Sequence, residues 1–154
     1  MATTPSPGGL GRFSILTRDW FEGAFAAPTQ AQVGAWDALA SEQDVLVVAP
    51  TGSGKTLAAF LSAIDRLATA PPVPERERLR VLYVSPLKAL AADIERNLRT
   101  PLAGLRAAAA RLDLHLPDIT TGMRTGDTPA DARRRFPTHP PDILITTPES
   151  LFLL

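Results

Sequence analysis

Residues 47 to 60 read VVAPTGSGKTLAAF, a β-branched run followed by a helix-forming one, with two glycines and a lysine between Gly52 and Lys55. The chemistry that needs this order is the holding of phosphate. A turn leading into a helix N-terminus carries amides without intrahelical acceptors, and the helix dipole favours an anion there. Gly52 and Gly54 let the backbone come close without a Cβ in the way, and Thr51 and Ser53 complete the cradle. Lys55 would place its ammonium on the β and γ phosphates of a nucleotide, and the Thr56 hydroxyl would join a Mg²⁺ shell. The sequence departs from G-x-x-x-x-G-K-[ST] at its first position, where Ala49 stands. A dinucleotide fingerprint is disfavoured, because Leu57 occupies the place of its third glycine. The bland alternative is a glycine-rich turn with a surface lysine.

Such a loop has to be positioned by a strand before it and a helix after it. DVLVVA, residues 44–49, is a nearly continuous apolar run, the pattern of a strand buried on both faces of a parallel sheet. RVLYVS (80–85) and DILIT (142–146) repeat it, and DITTG (118–122) is a weaker fourth. Helical spacing predicts helices over 16–25 and 29–39, then at about 55–69, 87–99, 102–112 and 129–136. Strand alternating with helix reads as α/β with a parallel sheet. MATTPSPGG is too poor in apolar residues to order itself, so 1–12 is expected to be a disordered tail with folding from Phe13 onward. APPVPERER (70–78) is a proline-broken charged loop.

Composition sets the outer limits. The 154 residues suit one modest domain, and 16 basic residues balance 16 acidic ones, so any nucleic-acid contact has to come from local clusters. Lys55 and Lys88 are the only lysines, and both fall in candidate motifs. The absence of cysteine removes disulfides and thiolate metal sites, and His115 and His139 are read as surface histidines. No apolar run approaches the ~20 residues that span a bilayer, which suggests a soluble, cytoplasmic protein.

APTGSGKT resembles the phosphate loop of superfamily 2 helicases. FAAPTQAQ (25–32) resembles the Q motif of DEAD-box-like helicases, aromatic-x-x-P-T-x-x-Q, which makes Gln32 the adenine-reading residue; an amide can serve the N6 amine and N7 together. SPLKAL (85–90) looks like motif Ia and TTPESL (146–151) like motif Ib. With RTGDTP (124–129) between them, the set is most similar to the large helicase-related (Lhr) family of ATP-dependent helicases. The resemblance covers residues 13–154. It implies the N-terminal part of a first RecA-like domain, with ATP and Mg²⁺ as cofactors and the backbone of a DNA or RNA–DNA hybrid strand as partner. The strand would meet Ser85, Pro86, Lys88, Gly126, Thr147 and Pro148.

The residues of the later motifs admit a second account. Ser85 can cap a helix with Pro86 at its first position, and Thr147 with Pro148 repeats the arrangement; both then present free amides at the C-terminal end of a strand, where open α/β sheets bind ligands. They can equally be well-capped helices and nothing more, and Thr146 to Glu149 also fits a capping box. In RTGDTPADARRRF, Asp127 or Thr128 can cap a short helix whose Arg133, Arg134 and Arg135 form a solvated face, a phosphate contact or a docking surface.

The sequence reaches Leu154 without a D-E-x-H or D-E-A-D stretch. In the family the strand bearing that Walker B motif would sit beside the phosphate-loop strand, and an arginine finger would come from a second RecA-like domain. The expectation is a chain truncated before the Walker B strand, lacking the remaining helicase domains and inactive in hydrolysis alone. A stand-alone nucleotide-binding module and an inactive remnant are the alternatives.

Overall fold

A computed structural model of the chain describes residues 9–153. In chain order its elements are α1 (Ile15–Ala24), α2 (Gln30–Ala40), α3 (Lys55–Thr69), β1 (Val81–Val84), α4 (Lys88–Leu112), β2 (Thr121–Arg124), α5 (Ala130–Arg135), β3 (Ile143–Thr146) and α6 (Pro148–Leu151), with 3₁₀ turns at Leu10–Arg12 and Glu75–Glu77. The chain divides into two compact units, Met1–Thr69 with Gly104–Leu116 and Ala70–Ala103 with Pro117–Leu154.

In the first unit, Ser14 starts α1 by accepting the Thr17 amide on its hydroxyl at 3.3 Å while donating that hydroxyl to Asp65 at 2.6 Å. A reciprocal capping box starts α2: Thr29 Oγ1 accepts from the Gln32 amide and Gln32 Oε1 accepts from the Thr29 amide. Leu10, Phe13, Phe21, Trp36 and Leu61 form the core, with Trp20 and Leu57 packed against it. Phe13 meets Trp36 edge-on at 4.9 Å, and the Trp36 indole donates to Ala58 O at 3.0 Å, so the ring is buried with its polar end satisfied. Leu10 lies in the stretch expected to be a tail. Burying a leucine contributes about 2 kcal/mol, and Arg12 adds bonds to Trp36 O and Asp37 that help hold Leu10–Arg12 in the ordered chain; residues 1–8 lie outside the described residues.

The expected strand at 44–49 is not formed. Leu46 and Val48 are 89% and 86% exposed, the reverse of a segment buried on both faces. A strand needs a neighbour to complete its ladder, and no described strand pairs with this segment. The helix after it needs no such partner: α3 buries Ala58, Leu61, Ile64 and Leu67 along one stripe and forms as expected.

The second unit holds a parallel three-stranded sheet in the order β1-β3-β2, in which Ile143 pairs with Val81 on one side and Thr121 on the other. Central β3 is buried at all four positions, as its continuous apolar run requires. β1 has the same kind of sequence but lies at an edge, and it alternates, with Leu82 and Val84 48% and 41% exposed. The weak strand expected at 118–122 forms at Thr121–Arg124, because the Asp142 side chain takes the Thr120 amide at 2.8 Å and the regular ladder starts one residue later. The two helices expected on either side of Pro101 are one, α4. Ala91, Ile94, Leu98, Leu102, Leu105 and Ala109 keep one buried face in phase through the proline, and that burial outweighs the single backbone bond the ring removes.

Candidate functional site

The segment expected to be a phosphate loop turns into α3 through two glycines in the left-handed region. Gly52 and Gly54 both sit at positive φ, +79° and +78°. Gly54 is required twice over, since a Cβ there would also lie 2.4 Å from Gln32 Nε2, whereas the space around Gly52 is open. Gly54 O accepts the Ala58 amide, which opens α3 and leaves the amides of its first turn without helical acceptors. Lys55, the first residue of α3, donates its ammonium to Ala49 O at 2.5 Å and Pro50 O at 2.6 Å. Its charge is thus folded over the start of the loop, satisfied by carbonyls that a phosphate would have to replace. Ser53 donates its hydroxyl to Pro50 O at 2.7 Å, and Thr51 and Thr56 are exposed.

The segment before α2 is tied to this loop. Thr29 Oγ1 donates to Ser53 O at 2.9 Å and Gln32 Nε2 donates to Gly54 O at 3.3 Å. Gln32 is buried at 5% exposure, with its carbonyl on the Thr29 amide and one N–H on the loop. A primary amide carries a second N–H and a second lone pair, so one donor and one acceptor stay uncommitted. The T-x-x-Q spacing at 29–32 was the sequence signal for the capping role, alongside the adenine role expected of Gln32.

In the second unit the strand pairing brings Ser85, Thr125 and Thr147 to the C-terminal edge of the sheet, each just after its strand. Their side chains do not cap helices as expected. Ser85 is buried, with its hydroxyl donated to Leu87 O and its amide to Thr146 O; α4 begins only at Lys88, so Pro86 is not its first residue. Thr147 does precede Pro148 at the first position of α6, but its hydroxyl donates to Ser150 Oγ at 3.2 Å. The Thr146–Glu149 capping box is not made, because the Thr146 hydroxyl donates to Arg124 O at 2.7 Å. Inward-turned hydroxyls lock the edge in place and leave the outward chemistry to backbone and to Lys88.

Lys88 Nζ lies 2.8 Å from Asp127 Oδ2, and Gly126 is alongside, where a Cβ would stand 3.6 Å from the ammonium. Lys88 and Asp127 line a groove of about 580 Å³ together with Ala92, Met123, Thr125 and Pro129. Neither Asp127 nor Thr128 caps α5, whose preceding residue is Pro129 with no side-chain bond. Thr128 instead closes its own turn, accepting the Thr125 amide on Oγ1 at 2.8 Å. Arg133 is not a solvated charge either: it donates to Thr128 O at 2.7 Å and to Gly126 O at 2.5 Å, bracing the turn, while Arg134 and Arg135 are exposed.

Sequence reading missed Asp142. This buried carboxylate accepts from Arg78 at 2.7 Å, from the Thr120 amide at 2.8 Å and from the Thr120 hydroxyl at 2.9 Å, with Arg80 at 3.4 Å. Burial pushes its pKa up, but the Arg78 hydrogen bond and the two from Thr120 outweigh that and hold it below the usual carboxylate value. The available signal was opposite charges at the N-terminal ends of two apolar runs, Arg78 and Arg80 before one and Asp142 before the other. Among the described residues no group of three acidic or histidine side chains could hold a metal, and no helix is long and apolar enough to cross a membrane.

A profile described as DEAD/DEAH box helicase matches residues 29–154, most of the chain. The chain belongs to the DEAD/DEAH box helicase family. Within it, the chain is 61% identical over 152 residues to an Lhr helicase of Mycolicibacterium smegmatis, covering 99% of this chain and 10% of that protein. It is 48% identical over 161 residues to the Lhr helicase/uracil glycosylase of Escherichia coli, again covering 10% of the relative. Among solved structures, the helicase Lhr of Mycobacterium smegmatis bound to ssDNA and AMP-PNP superposes with a TM-score of 0.88 at 62% identity, over 95% of this chain and 18% of that one. The chain therefore spans about a tenth of the length of these curated relatives.

Proposed function

We propose that this chain binds ATP in its first unit and the backbone of a nucleic-acid strand in its second, as the N-terminal part of an ATP-driven DNA helicase. The observation that carries the reading is the phosphate loop. Two positive-φ glycines lead into α3 with Lys55 as its first residue, and Thr29 and Gln32 are bonded to the carbonyls of Ser53 and Gly54. A triphosphate entering this loop would exchange the Ala49 and Pro50 carbonyls for phosphate oxygens at the Lys55 ammonium, while Gly52, Ser53, Gly54 and Thr56 offer amides from the turn and the helix start. The exposed Thr56 hydroxyl is a hard oxygen donor that suits Mg²⁺ held mainly by phosphates and water, and the ion would supply charge neutralisation there. The uncommitted N–H and lone pair of Gln32 match the donor and acceptor of an adenine edge.

On the strand side, Lys88 beside Gly126 would hold a phosphate without reading bases, while buried Ser85 and Thr147, with Pro86 and Pro148 that have no amide to offer, shape the strand ends next to it. Support for DNA as substrate, and for a role in DNA repair, comes from relatives whose names carry ssDNA and uracil glycosylase. Titrating the chain with a fluorescent ATP analogue tests the first half. Saturable binding that ATP displaces and that Lys55→Ala weakens about ten-fold or more supports it, and an affinity unchanged in Lys55→Ala refutes it.

A further inference from the structure

We propose that Asp127 is an electrostatic gate on the strand groove, occupying Lys88 in the strand-free protein so that the first phosphate to arrive must displace a carboxylate. The inference rests on the strand-binding reading of this groove and adds to it a residue that opposes binding. Lys88 is one of only two lysines in the chain, and its ammonium is paired to Asp127 at 2.8 Å instead of standing free. The pair projects from the surface, with side-chain exposures of 54% and 78%, so both groups stay within reach of a ligand from solvent.

Asp127 is not there by a chance swing of a loose loop. Its turn is closed by the Thr125 amide on Thr128 Oγ1 at 2.8 Å and the Thr128 amide on Thr125 O at 3.1 Å, and Arg133 clamps the carbonyls on both sides of Asp127, those of Gly126 and Thr128. The carboxylate is thus presented to the first residue of α4, where an anion is favoured and where Lys88 by itself opposes the helix dipole. A carboxylate oxygen on an ammonium at that place is a stand-in for a phosphate oxygen. The gate therefore lowers the affinity of the groove and removes one cation from the count of charges that release counterions.

Exposed ion pairs are weak, so the effect is graded. Asp127→Asn, which keeps the shape and removes the charge, should tighten binding of a fluorescently labelled oligo-dT about three-fold at low salt. The slope of log K against log salt should steepen by about 0.7, the increment for one more neutralised phosphate on a single strand. In the Lys88→Ala background the same substitution should no longer steepen the slope. Fluorescence anisotropy with the whole chain across a salt series, with circular dichroism confirming equal folding, measures all of this. Equal or weaker binding by Asp127→Asn, at an unchanged slope, would overturn the gate while Lys88-dependent binding preserved the strand reading. Binding that is indifferent to Lys88 would overturn both.

Discussion

Lys55, Gln32 and Gly54 carry the nucleotide reading at the scale of single residues, and each fails in its own way when replaced. Lys55→Ala removes an ammonium that two carbonyls hold now and that phosphates are proposed to hold later, and it touches no core side chain. ATP affinity should fall about ten-fold or more, as for loss of a charge-assisted bond, with an unchanged circular-dichroism spectrum. Gln32 has two duties, so Gln32→Ala would confuse them. Gln32→Glu keeps the acceptor that the capping box uses and deletes the donor to Gly54 O. The new carboxylate is buried against the Gly54 carbonyl, so the melting temperature should fall, and nucleotide selectivity carries the test: ATP should weaken more than CTP or UTP, and an equal loss for all three would make Gln32 a purely structural residue. Gly54→Ala combines a left-handed φ with a Cβ that would push the Gln32 amide off its bond to Gly54 O, so it should lower stability by about 1–3 kcal/mol and nucleotide affinity with it, read by urea melts and titration.

The elements show what was legible in the sequence and what was not. Helix α3 and strand β3 could be read because their patterns are local: one apolar stripe, one apolar run. The run at 44–49 has the same composition as β3, but a strand is a property of a pair, and no described neighbour supplies the other half. Pro101 misled for the opposite reason, since a local breaker was overruled by burial along the whole of α4. The Asp142 network joins residues 22 and 64 positions apart, beyond any motif's reach. Deleting that carboxylate by Asp142→Ala leaves the Thr120 amide without its acceptor and Arg78 with only Asp118 O and solvent, and should cost about 1–3 kcal/mol in urea unfolding. Because folding lowers this carboxyl's pKa, its contribution is complete above the unfolded value of about 4 and is lost as pH falls through the depressed folded value. The wild-type urea midpoint should therefore drop in that acidic window, and the Asp142→Ala midpoint should drop less.

For the molecule as a whole, the residues proposed for nucleotide and for strand fall in different units: Gln32 and Thr51 to Thr56 lie in the first, and Ser85, Lys88, Gly126 and Thr147 in the second. The helix start at Lys55 and the strands ending at Val84 and Thr146 were legible, because each is a local pattern of a few residues, whereas the strand expected before the glycines is not formed and no helix starts at Pro86. The gate at Asp127 and the brace at Arg133 were not, because a turn's side-chain partners are fixed only when the sheet is assembled. The central claim is that the two binding functions depend on two different lysines. The most direct test measures an ATP analogue and oligo-dT on the same three proteins, wild type, Lys55→Ala and Lys88→Ala. The account predicts that Lys55→Ala loses the nucleotide and keeps the oligonucleotide, and that Lys88→Ala weakens the oligonucleotide and keeps the nucleotide. Loss of both ligands in either folded variant, or of neither in both, would contradict it.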